Sequence, residues 1–112
     1  MAKRNSALPV PAAPEWLQGS LRSRWSELAP TFCQMGTLTE LETGILARYI
    51  VAENNYLMIS SQLQQALARA DGEDVGRWLT AQDKVIRQIL TLGESLGLTA
   101  EKRKTMGWSL PE

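Results

Sequence analysis

Two long stretches free of proline dominate this chain and restrict its fold more than any other feature: residues 40–70 and residues 73–96. In the first, Ile45, Tyr49, Ala52, Tyr56, Ile59, Leu63, Ala66 and Ala70 recur at alternating steps of four and three. That period marks a coiled-coil-like seam along one side of a helix. At ~1.5 Å per residue such a helix is on the order of 45 Å long. A second stripe, Leu46, Ile50 and Leu57 with Val51 and Met58, lies beside the seam. A helix with two apolar faces needs two partners. In the second stretch Val75, Leu79, Gln82, Ile86, Ile89, Gly93 and Leu96 form the seam, widened by Trp78, Val85, Leu90 and Leu92. "DGED" at 71–74 reads as a tight turn between them. A connector this short forces an antiparallel helical hairpin.

The segment ahead of the hairpin, "ELAPTFCQMGTLTELE" (27–42), carries a corner. A first helix is expected from about Pro14 or Glu15, with Trp16, Leu17, Leu21, Trp25 and Leu28 at helical spacing. Pro30 removes an amide donor and predicts a kink, with one further turn through Phe32, Cys33 and Met35. Gly36 supplies a left-handed stop. Thr39 and Glu42 then stand at the spacing of a capping box, with Leu38 placed for a hydrophobic staple. After the hairpin Gly97 ends the third helix, and Thr99 is placed to cap a short basic helix closing at Gly107. The expected fold is therefore all-α: a kinked N-terminal helix, a long antiparallel hairpin and a short C-terminal helix. The expected organisation is a flexible proline-rich arm (1–13, ending in "ALPVPAAP"), a helical oligomerisation core (14–98) and a basic C-terminal segment (99–112).

Composition narrows the function. Twelve Lys and Arg balance twelve Asp and Glu, so bulk charge draws the chain to neither nucleic acid nor membrane. The balance is uneven along the chain. Residues 1–14 hold Lys3 and Arg4 and no acid, residues 71–98 hold five acids against three bases, and Lys102, Arg103 and Lys104 cluster near the end. Mildly basic ends flank an acidic middle, a pattern suited to a polyanion. Cys33 is the single cysteine, so no intrachain disulfide forms. There is no histidine, which removes the commonest metal ligand and general base, and leaves Ser20, Ser23 and Ser26 without a triad partner. No glycine-rich phosphate loop is present. No apolar run approaches a membrane span, and no signal peptide opens the chain, so a soluble intracellular protein is expected. No cofactor and no enzymatic activity are expected.

Two predictions about surfaces follow. A hairpin this long in 112 residues has more apolar surface than one short helix covers, so copies of the chain are expected to cover the rest. The assembly residues chosen from the stripes are Leu46, Tyr49, Ile50, Tyr56, Leu57, Leu63, Trp78, Val85, Ile89 and Leu92. The candidate phosphate contacts are the clustered cations Lys3, Arg4, Arg22, Arg24, Lys102, Arg103 and Lys104, since backbone contacts need only cations free to reach.

"PEWL" (14–17), "RWSELAPTFCQMGTLTELE" (24–42) and "LTLGESLGLTAEKR" (90–103) together resemble the small terminase subunits of tailed bacteriophages. The resemblance rests on Pro-x-Trp-Leu, Trp-x-x-Leu-Ala-Pro, Gly-x-Leu-Thr before an acid, and Leu-Gly-Leu-Thr before bases, in that order. The chain departs from the pattern at "RADGEDVG", where many relatives carry a longer connector. The resemblance implies a non-catalytic factor that forms a homo-oligomeric ring in the host cytoplasm, binds double-stranded viral DNA and serves a large ATPase/nuclease subunit. A ring would multiply each weak basic cluster by the number of copies. Two other readings stay open: a helical adaptor that binds protein without DNA, and a small dimeric DNA-binding regulator. The regulator fits less well, because the helix after Gly36 is too apolar and too poor in early cations to read a groove.

Overall fold

The computed structural model describes residues 10–98. Within them lie α1 (Gly19–Gln34), a 3-10 turn (Glu40–Glu42), α2 (Thr43–Ala68) and α3 (Gly72–Ser95), with no strand. The expected C-terminal helix from Thr99, the first nine residues of the arm, and the packing of Trp108 and Leu110 lie outside the described residues.

α2 and α3 form the expected hairpin, linked across the layer by Gln82 Nε2 donating to Ser60 Oγ at 3.2 Å. Its connector is tighter than "DGED" suggests. Asp71 is the N-cap of α3, accepting from the Asp74 amide, so residues 72–74 already belong to the helix. Glu73 and Asp74 then sit where the helix dipole favours acids. The turn itself is residues 69–71, with Ala70 in the left-handed region at φ 56°.

The corner before the hairpin forms as its residues dictate. Gly36 has φ 77°, and Thr37 N donates to the Phe32 carbonyl while Gly36 N donates to that of Cys33. These two bonds make a Schellman stop. Thr39 and Glu42 make the capping box, and hydrogen bonds from Thr39 hold the Glu42 carboxyl below the ordinary range. Glu40–Glu42 winds as a 3-10 turn, so the α-helical part of α2 spans 26 residues. That is about 39 Å, shorter than the run of residues alone suggests.

The N-terminal helix differs at its start. Residues 14–17 make a separate turn, with Leu17 N donating to the Pro14 carbonyl. Extended Gln18 and left-handed Gly19 then lead into α1. Glycine permits that reversal, and its poor helix propensity favours it over one longer helix. α1 continues through Pro30 to Gln34.

The core gathers where α1 crosses the hairpin. Phe32, Leu17, Leu46, Ile50, Ile89 and Leu96 are its largest fully buried side chains. Phe32 meets Tyr49 edge-on, centroids 6.5 Å apart. Leu38, the expected staple, is buried as well. Cys33 is buried here, its thiol pushed up by desolvation. The seam and the second stripe are both real, but their fates diverge along α2. Leu46 and Ile50, at the start of the second stripe, are covered, whereas Leu57 and Met58 further on are each 60% exposed. α1 is 16 residues, about 24 Å, and stops short of the far half.

Candidate functional site

The cations expected on α1 are held by acceptors of the chain itself, Arg22 at the surface and Arg24 half-buried. Arg22 donates Nε to the Leu17 carbonyl at 2.9 Å and Nη2 to that of Pro14 at 3.0 Å, tying the turn at 14–17 to the helix. Arg24 donates Nε and Nη2 to the two carboxylate oxygens of Glu53 at 2.8 and 2.9 Å, and Nη1 to Glu27 at 2.8 Å. Glu53 is the one buried charged side chain among the described residues. This two-point pair raises the Arg24 pKa further above its already high value. A phosphate would have to compete with these bonds. Lys3, Arg4, Lys102, Arg103 and Lys104 lie outside the described residues.

The expected assembly residues divide in two. Leu46, Tyr49, Ile50, Val85 and Ile89 are buried in the chain's own core, with none more than 7% exposed, so they present no surface to a neighbour. Periodicity marks an apolar face without saying which partner covers it. Tyr56, Leu63, Trp78 and Leu92 are half-buried, and Leu57 is exposed.

The open surface has two flanks. On the α1 side, Leu57 borders a hollow with Leu21, Arg24, Ile50 and Glu53, where α1 runs out. Around the helix from that stripe, Arg48, Val51, Asn55 and Met58 follow one another at helical spacing. They belong to a groove along the hairpin. One part, about 600 Å³, lies between α2 and α3 beside Trp16, with Arg48, Val51, Arg87 and Leu92 in its walls. A second hollow, bordered by Met58 and Trp78, shares Asn55 with it. Trp16 is 60% exposed there, whereas Trp25 is buried and donates Nε1 to the Pro11 carbonyl. Arg48 makes no ion pair among the described residues, and Arg87 pairs only with exposed Asp83. Among the described residues no carboxylate lines the larger hollow.

Sequence reasoning passed over Arg48, Arg87 and Leu41. Arg48 and Arg87 are isolated cations, one on each long helix, and only the hairpin brings them together. Leu41 is 90% exposed, one turn ahead of Ile45 in the phase of the seam, and flanked by Glu40 and Glu42. It lies in the 3-10 turn before the α-helical part of α2, where the helical period that would place it on the seam does not hold, and the two flanking acids are the local sign of a solvated turn. Among the described residues, no group of three or more His, Cys, Asp or Glu stands together as a metal site, and no helix is long and apolar enough to cross a membrane.

The architecture is thus a helical corner feeding a long hairpin with Leu96, Gly97 and Leu98 at its exit, in the order of the motifs read from the sequence. The family model for "Phage terminase, small subunit" matches residues 22–110. The chain belongs to that family. The matched stretch takes in most of α1, the corner, the whole hairpin and the basic segment beyond Leu98, which places this small terminase subunit in DNA packaging. Searches of the curated proteins and of the solved structures gave no match.

Proposed function

We propose that this chain is the non-catalytic recognition component of a viral DNA-packaging machine, acting in the host cytoplasm. Copies assemble into a ring, hold double-stranded viral DNA, and deliver it to a large subunit that carries the ATPase and nuclease chemistry. Family membership supports this reading. The observation that carries assembly is the bare far half of the hairpin, where Leu57, Met58, Leu67 and Leu79 are all at least 50% exposed. Soluble chains bury such surface against a partner. A repeated contact between copies closes into a ring when its rotation closes.

The DNA contacts are assigned to Lys3, Arg4, Lys102, Arg103 and Lys104, with Arg22 at the edge of the set. Arg24 is given a structural role instead, because buried Glu53 takes two of its donors and exposed Glu27 a third. A protein adaptor without DNA is the second reading. It is favoured by the balance of residues 10–98, where ten acidic side chains face seven basic ones. Titration of a fluorescent DNA duplex with the full chain at rising salt separates the two. The packaging reading expects binding whose logarithm falls linearly with the logarithm of salt. Absence of binding at low salt would leave the adaptor.

A further inference from the structure

We propose that the groove beside Trp16 receives the Leu41 turn of a second copy of this chain. The proposal rests on the assembly reading above and names the two surfaces that meet.

Leu41 has the form of a docking knob. It is an apolar side chain 90% exposed, on a turn already rigid before any partner arrives. Its amide donates to Thr39 Oγ1 at 3.2 Å, and the Thr39–Glu42 capping box closes the turn on both sides. A side chain held in place loses little freedom on binding, which favours association. Because Leu41 is almost wholly exposed, it does not occupy the groove of its own chain.

The groove has the matching form. Trp16, Val51 and Leu92 give it an apolar wall, and its volume of about 600 Å³ admits a turn of backbone with its leucine. Tryptophan and arginine are the side chains that most often anchor protein contacts. Charge is complementary too. Among the described residues Arg48, which lines the groove, makes no ion pair, and neither does exposed Glu40 beside the knob. Seating Leu41 against Trp16 brings the Glu40 carboxylate towards Arg48 or Arg87. A nucleic-acid backbone would use the arginines but leave the apolar wall and the leucine unmatched. Each copy carries one knob and one groove, so each can grip the next.

The test is the mass in solution of the full chain, by sedimentation equilibrium, for four proteins: unaltered, Leu41→Ser, Arg48→Glu, and Arg48→Glu with Glu40→Lys. Leu41 and Arg48 are exposed, so circular dichroism should show all variants folded. Either single change is expected to weaken association at least about tenfold, the equivalent of one well-packed contact. The double change should recover most of that loss, because it restores opposite charges across the contact. If Leu41→Ser assembles as well as the unaltered chain, or the double change is no better than Arg48→Glu, the docking is wrong and another surface assembles the copies. If Arg48→Glu loses DNA affinity while its mass is unchanged, the groove belongs to DNA and the proposal falls. An unaltered chain with the mass of one copy would remove the assembly reading itself.

Discussion

Arg24 shows how far a residue's role can depart from its local setting. In sequence it sits with Arg22 around Ser23 and reads as part of a basic surface. In the fold it reaches a carboxylate on α2, and both Glu53 oxygens accept from it. Removing one partner of a buried pair is far more damaging than replacing both, because the remaining charge stays desolvated. Arg24→Ala should therefore lower stability by about 3 kcal/mol, whereas Arg24→Met with Glu53→Met should lose much less. Urea unfolding of the two variants beside the unaltered chain measures both values. Equal losses for the single and double changes would show that the pair does not hold α1 on α2. Nothing in the sequence marks Glu53 as that partner. Its position on α2 is in phase with Leu46, Ile50 and Leu57, and an acid in an apolar stripe was the faint sign that a cation must come to meet it.

At the level of elements, the three α-helices among the described residues end in the same way. The last carbonyls are met by amides folding back from Gly36 and Thr37, from Ala70 and Asp71, and from Gly97 and Leu98. Two of these stops use glycine, and the third places an alanine at φ 56°. The left-handed region costs an alanine about 1–2 kcal/mol, while glycine adds about 0.5–1 kcal/mol of unfolded-state freedom. Ala70→Gly should thus stabilise the hairpin by about 0.5–1 kcal/mol. A melting temperature raised by a few degrees would confirm it, and a lowered one would refute it. The same stops explain what was readable in advance. Gly36, Gly97 and the Thr39–Glu42 box are signals that act within a few residues. The end of α2 has alanine where the other stops have glycine, so nothing local marks the turn at 69–71 ahead of "DGED".

The whole molecule is long for its size. Its radius of gyration is 16.2 Å, and its extents are 57 × 30 × 19 Å. A rounded chain of this length would have a radius near 13 Å. A slab of this kind has two broad flanks, and α1 protects part of one. If copies cover the rest, the folded state is linked to concentration. Each tenfold rise in protein above the dissociation constant should then add about 1.4 kcal/mol and raise the melting temperature by several degrees. Calorimetry across a hundredfold concentration range would test this, and a flat melting temperature would show that the slab is stable alone.

The sequence by itself determined the course of the two long helices, the stops at Gly36 and Gly97, and that one helix carries apolar stripes for two partners. Those properties depend on side chains three or four residues apart and on caps that close within a single turn. Only the tertiary structure decided which stripe is already covered, that Arg24 turns to Glu53, and that Trp16, Arg48 and Arg87 share one groove with Leu41 left outside it. These depend on which helices meet across tens of residues, and a pattern along the chain carries the need for a contact but not the identity of what supplies it.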